Sequence, residues 1–138
     1  NAAEQKLRHL LLAAGFPEGV RGEQIRLDPA IGTTTPDVIY RADHHDDDEG
    51  IAIYLDGLSA HIHGNPATAA KDRVIRDWLR GNGWEVIEIA VNQLDDAGAM
   101  TRHFRRLAGY LGDAGLREAV KRDTSWFDYA NTVPTHSE

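Results

Sequence analysis

The most constraining feature of this sequence is a pair of apolar, strand-like segments separated by one amphipathic helix. Ile51–Asp56 and residues 84–90 are rich in β-branched side chains, which is typical of strands. Residues 67–80 between them have apolar positions at helical spacing, and Gly81-Asn82-Gly83 ends that helix. A strand, a helix and a strand of these lengths form a right-handed crossover, so the two strands are expected to be parallel in one sheet.

The remaining segments predict three more helices and two more strands. They are helices over 2–14, 96–112 and 116–122 and strands over 23–28 and 37–41. A short acidic turn ending in Gly50 joins the 37–41 strand to Ile51, which predicts an antiparallel hairpin. The order αβββαβ with C-terminal helices predicts an α/β fold, more narrowly an α+β sandwich in which helices flank a mixed four-stranded sheet.

Length and apolar content indicate one core. With 138 residues and 41% hydrophobic content, the chain is expected to form a single domain over 1–123. A tail over 124–138 is expected to follow, because the apolar pattern there breaks down into Trp126, Phe127 and Tyr129 with polar spacers. The chain opens with Asn and enters a helix almost at once, which indicates a domain of a longer protein.

Composition limits the location and the metal chemistry that are expected. No run of about 18 apolar residues occurs, so a soluble, cytoplasmic protein without a membrane partner is expected. The chain has no cysteine, which excludes disulfides and thiolate zinc sites. Any metal site must therefore use His, Asp or Glu, and it should favour an ion that prefers oxygen and imidazole ligands.

Two aspartates mark the ends of the predicted hairpin strands. Asp37 follows Thr35-Pro36 at the start of one strand, and Asp56 lies between Leu55 and Gly57 at the end of the next. In an antiparallel pair these positions lie near the same end of the sheet, so the two carboxylates can converge. Mg²⁺ typically takes one or two carboxylates together with water and substrate phosphate. The alternative is that Asp37 caps a turn and Asp56 simply ends a strand.

The segment from the first helix to about Leu94 resembles the very-short-patch-repair endonucleases and related small bacterial domains of the PD-(D/E)XK nuclease superfamily. Four motifs carry the resemblance. They are Ala3-Glu4-Gln5-Lys6-Leu7, Thr35-Pro36-Asp37-Val38, Tyr54-Leu55-Asp56-Gly57-Leu58-Ser59-Ala60-His61, and the helix and strand with Lys71-Asp72-Arg73, Arg76, Leu79 and Gly83-Trp84-Glu85-Val86-Ile87. The resemblance implies a restriction-endonuclease-like core.

The resemblance also implies roles for individual residues. Asp37 and Asp56 would bind the metal together with the backbone carbonyl of Leu55, and Glu4 would be the active-site glutamate of the first helix. His61 matches the histidine that follows the strand motif, and it could transfer a proton because imidazole titrates near neutral pH.

This sequence departs from the pattern at two positions. Many relatives have a glutamate where Tyr54 stands, and the lysine of the superfamily is missing, with Asp56 in its place. Water activation would then depend on the metal and on histidine. His63 is a second histidine candidate, although His61 and His63 could also form a fortuitous zinc-like pair in a polar loop.

The basic residues of the 67–80 helix have two interpretations. Arg76, which matches the family, is a candidate for a phosphate-binding or structural role. The alternative is a solvated helix face with local ion pairs to Asp72 and Asp77.

The net charge of −7 argues for weak intrinsic DNA affinity. Much of the acid lies in the run from Asp43 to Glu49, while the predicted helices over 67–80 and 96–112 contain six arginines. These are Arg73, Arg76, Arg80, Arg102, Arg105 and Arg106.

Together these observations give a leading hypothesis and two alternatives. The first is a Mg²⁺- or Mn²⁺-dependent endodeoxyribonuclease domain of a larger DNA repair, restriction or defence protein, with DNA and other domains, such as a helicase, as partners. The second is a catalytically inactive nuclease fold that docks nucleic acid or protein. A structural domain of an unrelated α/β protein is the third.

Overall fold

The computed structural model describes residues 1–57 and 66–132 and contains two compact units. We call Gly19–Ala90 the sheet unit, and Asn1–Glu18 with Val91–Glu138 the helical unit. Helices and a mixed sheet occur in the same chain, which confirms the predicted α+β class. The predicted boundary between a domain over 1–123 and a tail stays a prediction.

The described residues of the sheet unit form five strands in two sheets. They are β1 (Ile25–Arg26), β2 (Thr33–Thr34), β3 (Val38–Tyr40), β4 (Ile51–Asp56) and β5 (Glu85–Ala90). In the larger sheet the order is β3-β4-β5, with β3 antiparallel and β5 parallel to β4. Both the antiparallel hairpin and the parallel crossover predicted from the sequence are confirmed.

The crossover helix α2 (Pro66–Gly81) is the predicted helix between the parallel strands. Its buried positions Ile75, Arg76 and Leu79 follow helical spacing. The two apolar ones join an apolar cluster that includes residues of β1, β3, β4 and β5. The cluster consists of Ile25, Leu27, Ile39, Ala52, Tyr54, Ile75, Leu79, Trp84 and Val86. Arg76 is thus a charged residue at a position where the pattern calls for an apolar one.

The predicted four-stranded sheet is wrong for the described residues, where the larger sheet has three strands. The 23–28 segment was expected to supply the fourth, but β1 pairs with β2 in a separate antiparallel sheet. A tight turn explains the difference: the amides of Ile31 and Gly32 donate to the Asp28 carbonyl, and Gly32 has a φ of 110°. The chain therefore folds back at once, and the partner of β1 is the next segment.

The helical unit consists of α1 (Ala2–Ala13), a 3₁₀ helix (Val91–Asp95), α3 (Ala97–Leu111), α4 (Ala114–Arg122) and α5 (Ser125–Thr132). Its interior contains an aromatic group in which the ring of Phe104 lies 5.3 Å from that of Phe16 and 5.3 Å from that of Trp126. The predicted helices over 2–14, 96–112 and 116–122 are confirmed. The expected tail begins with helix α5, which buries Trp126 and Ala130 at i, i+4 spacing.

None of the helices in the described ranges is long and apolar enough to cross a membrane.

Candidate functional site

Asp37 is tied to the C-terminal end of β4. The residue is half-buried and immediately precedes β3. Its backbone N–H donates to the Ile53 carbonyl at 2.9 Å, and its Oδ2 accepts a hydrogen bond from the Leu55 N–H at 2.7 Å. The aspartate of the Thr-Pro-Asp motif and the strand motif around Leu55 therefore meet, although they are separate in the sequence.

The carbonyl of Leu55 points to the same side of β4 as Asp37. Along a strand, the N–H and C=O of one residue point to the same side, and successive residues alternate. The Gly50 carbonyl accepts from Glu85 N–H of the β5 segment, whereas the Ile53 carbonyl accepts from Asp37. Odd-numbered residues of β4 therefore face β3. The N–H of Leu55, which donates to Asp37, follows this rule, and its carbonyl must point to the same side.

Asp56 is held by an arginine. Both of its carboxylate oxygens accept hydrogen bonds from Arg76: Nη1 to Oδ2 at 2.9 Å and Nη2 to Oδ1 at 2.7 Å. Arg76 is only 9% exposed, and its guanidinium carbon lies 4.4 Å from the centre of the Tyr54 ring. This two-point geometry is among the strongest ion pairs that proteins form. The oxygens that the sequence assigned to a metal are thus occupied by a cation of the protein itself.

Glu88 of β5 links Arg76 and Arg80 of α2 in one charge network. Arg76 Nη1 also donates to Glu88 Oε2, and Arg80 Nη2 donates to Glu88 Oε1 at 3.1 Å. Partial burial raises the pKa of Glu88, but the hydrogen bonds from Arg76 and Arg80 outweigh it and hold that pKa below its usual value. Burial lowers the pKa of Arg76, yet the hydrogen bonds to Asp56 and Glu88 raise it above its ordinary value, so the guanidinium stays charged.

Tyr54 stands where many of the nucleases that the sequence resembles have a glutamate. Its ring is buried, and its hydroxyl lies 2.8 Å from Thr34 Oγ1. Burial raises the pKa of the Tyr54 phenol above its usual value, and this effect exceeds the opposing ones of Thr34 and Arg76. A neutral phenol offers a metal no carboxylate, so the ring of Tyr54 serves as a platform for Arg76 instead.

The other predicted site residues lie elsewhere or outside the described residues. Glu4 is in the first turn of α1, in the helical unit, where its N–H donates to Asn1 Oδ1 at 2.9 Å and its side chain is 39% exposed. His61 and His63 lie outside the described ranges. The structure brings Asp37 to Leu55 and Arg76 to Asp56, and the roles given to Glu4, His61 and His63 stay predictions.

Sequence reasoning missed Glu88 as a member of this network. The signal was present, because parallel pairing of β4 and β5 places Glu88 beside Tyr54. Glu88 is also an exposed position between the buried residues Ile87 and Ile89 of that strand. A carboxylate in that register, facing a helix with Arg76 and Arg80 at i, i+4 spacing, indicates a bridging acid.

The donors at Asp37 and Leu55 fit a hard divalent cation in kind. A carboxylate and a backbone carbonyl are oxygen ligands, and Mg²⁺ commonly binds through one or two carboxylates while water and substrate phosphate supply the rest. No group of three or more His, Asp or Glu side chains suited to a metal occurs among the residues that the structure describes.

No protein-family model, curated protein or solved structure matches this chain.

Proposed function

We propose that this chain is a metal-dependent endonuclease domain of the PD-(D/E)XK type that hydrolyses phosphodiester bonds of DNA as part of a larger protein. The supporting observation is the 2.7 Å hydrogen bond between Asp37 Oδ2 and the Leu55 N–H. It brings the motif aspartate to the side of β4 on which the Leu55 carbonyl lies, and these are two of the three ligands that the nuclease resemblance implies.

In this proposal the residues of the sheet unit have different tasks. Asp37 and the Leu55 carbonyl would hold Mg²⁺ or Mn²⁺, and the bound ion would supply charge stabilisation and an activated water. Asp56 is assigned to the ion pair with Arg76 instead of the metal, because both its oxygens accept from that guanidinium. The pair fixes the end of β4 next to Leu55. His61 would accept or donate the proton.

Two observations favour a second function, a catalytically inactive nuclease fold that docks a partner. Arg76 supplies a permanent positive charge beside Asp56, where the leading hypothesis expected a metal ion. Tyr54 in place of a glutamate removes another ligand. In that case the Arg76 network would be a purely structural substitute for the metal.

Plasmid nicking in Mn²⁺ tests the proposed function. We expect the wild-type chain to nick supercoiled DNA and Asp37→Asn to lose at least about 100-fold of the rate, because a metal contributes several kcal/mol to the transition state. The matched control is Asp43→Asn, which removes the same charge from an exposed position of the acidic turn. That variant should nick at the wild-type rate.

Isothermal titration with Mn²⁺ separates the two functions. Metal binding that is lost in Asp37→Asn supports the nuclease. If the wild-type chain neither nicks DNA nor binds Mn²⁺, the nuclease proposal fails and the inactive docking fold takes its place.

A further inference from the structure

Helix α3 of the helical unit has a cluster of arginines that takes no part in the site formed by Asp37 and Leu55. Arg102, Arg105 and Arg106 lie within five consecutive positions, and no acidic residue occurs in Ala97–Leu111. We call these three side chains the α3 arginine face. The charge of this face is opposite in sign to the net charge of the chain, which is −7.

The three arginines lie on the side of α3 away from its buried residues. Met100, Phe104 and Leu107 are buried, whereas Arg102 and Arg106 are exposed and Arg105 is half-exposed. Residues three or four apart on a helix have Cβ atoms about 5–6 Å from each other. Arg102 is therefore a neighbour of both Arg105 and Arg106 on the helix surface.

These charges are not neutralised within the described part of the chain. Arg41 pairs with Glu23 and Arg76 pairs with Asp56, but among the described residues none of the three arginines of α3 forms an ion pair. The Nε of Arg105 is buried and has no hydrogen-bond partner there. Any external ligand would therefore meet the terminal nitrogens of this guanidinium and not its Nε.

The positive charges of α3 also affect the pKa of His103. Burial lowers the pKa of His103 below its ordinary value, and the charges of Arg106 and Arg102 lower it further. Its Nε2 lies 2.9 Å from Gln93 Oε1, a neutral group that does not cancel those charges. The field of the arginines thus reaches a neighbouring side chain.

We propose that the α3 arginine face binds the phosphodiester backbone of double-stranded DNA, at a surface distinct from the Asp37 site. DNA as the partner rests on the proposed function, whereas the position of the surface rests on α3 itself. Arginine presents a planar fork that matches a phosphate group. A duplex carries about one negative charge per 1.7 Å of axis, which suits several adjacent guanidinium groups.

Two glycines lie among the arginines of α3. Gly98 and Gly109 lie on the same side of α3 as the arginines and are exposed. A side chain built at Gly109 would meet no atom within 4 Å, so the glycine is not required by packing. Without side chains at these positions, a backbone can approach the helix closely.

Fluorescence anisotropy with a labelled duplex tests the proposal. EDTA is present, so that cleavage and metal binding do not contribute. The triple variant Arg102→Gln, Arg105→Gln, Arg106→Gln should bind at least about 10-fold more weakly at low salt. Its slope of log affinity against log salt should be shallower by about 2.7, since each phosphate contact contributes about 0.9.

The matched control removes three positive charges from another exposed face of the same unit. It is Arg117→Gln, Lys121→Gln, Arg122→Gln on α4, where all three residues are exposed. This variant should keep its affinity within about 3-fold and its salt slope nearly unchanged, because non-contacting charges act only through screened long-range fields. The variant Arg102→Lys, Arg105→Lys, Arg106→Lys should retain most of the slope. Circular dichroism melts establish that each variant folds.

Several outcomes overturn the proposal. It is wrong if both triple variants lose affinity equally, if neither does, if the wild-type chain does not bind DNA, or if it prefers polyglutamate to DNA. The result is separable from the proposed function, since EDTA removes any metal ion and the anisotropy then measures DNA binding without cleavage. Nicking that is absent while the α3 dependence persists would contradict only the nuclease. Nicking that is unaffected by the α3 variant, together with unchanged binding, would contradict only this surface.

Discussion

The arginines of helices α2 and α3 lie in opposite environments. On α2 of the sheet unit, Arg76 occupies a buried position and is held by Asp56 and Glu88. On α3 of the helical unit, the inward position is taken by Phe104, and arginines such as Arg102 face away from the core. The comparison shows that an arginine-rich helix in a sequence does not define a binding surface. What decides is whether the neighbouring elements present carboxylates.

The cost of burial explains the difference. A charged group removed from water must be paired and hydrogen-bonded, or it destabilises the fold. The strand ends next to α2 supply Asp56 and Glu88 for that purpose. The aromatic group around Phe104 supplies no acceptor, so an arginine of α3 gains nothing from pointing inward.

The largest predicted effect comes from removing Phe104, the central ring of the aromatic group in the helical unit. Phe104→Ala should lower the free energy of unfolding by about 3–5 kcal/mol, because it removes a fully buried ring and leaves a cavity between Phe16 and Trp126. Urea unfolding measures this change. Tyr129→Ala, an aromatic residue of the same unit that is 66% exposed, is the control and should change the value by less than about 0.5 kcal/mol. Equal losses in both variants would contradict the assignment of Phe104 to the core.

The corresponding stability test in the sheet unit removes the ion pair between Arg76 and Asp56. Arg76→Ala should lower the free energy of unfolding by about 2–4 kcal/mol, because it leaves Asp56 without its ion-pair partner. This range lies between the values for exposed and for fully buried ion pairs. The double variant Asp56→Ala, Arg76→Ala should recover part of that loss, since no unpaired charge remains. Arg73→Ala, at an exposed position of the same helix, is the control. Urea unfolding in which Arg76→Ala resembles Arg73→Ala would remove the contrast between the two helices.

The fold was predictable where local pattern and topology agree. The β-branched residues of β4 and β5 and the intervening helix left parallel pairing as the natural solution. The two-stranded sheet was not predicted, because Thr33–Thr34 is too short to show alternation and depends on the turn at Asp28. Helix α5 was missed because its apolar signal rests on the spacing of Trp126 and Ala130.

The site was only partly accessible from the sequence. Strand direction alone indicated that Asp37 and the end of β4 would lie together, and the hydrogen bond to Leu55 is the structural form of that contact. The partner of Asp56 was beyond reach, because Arg76 belongs to a helix and its direction depends on how α2 lies on the sheet. A sequence pattern can distinguish a carboxylate that binds a metal from one that forms an ion pair only when the nearest cationic side chain is known.

Acid sensitivity sharpens the comparison further. Glu88 has a pKa held below 4.5 by its arginines, which outweigh the opposing effect of burial. Its contribution to stability is therefore complete above 4.5 and is lost as pH falls through the lowered value. Glu88→Gln should show a smaller loss of unfolding free energy than the wild type between pH 5 and pH 3, measured by urea unfolding at each pH. Glu118→Gln, an exposed carboxylate of α4, should follow the wild-type profile, and identical profiles for all three proteins would argue against the network.

The smallest effect, and the most direct probe of α3, is the titration of His103. Its pKa is lowered first by burial and then by the charges of Arg106 and Arg102, so the folded state prefers the neutral ring and loses stability as pH falls through 6.5. Arg102→Gln, Arg106→Gln should raise the His103 pKa measured by NMR, whereas Arg117→Gln, Arg122→Gln on α4 should leave it in place. Duplex DNA bound to α3 should raise it as well, because phosphate cancels the same field. A His103 pKa that responds to neither change would mean that the arginines of α3 are already neutralised, as Arg76 is on α2, and the two helices would no longer differ.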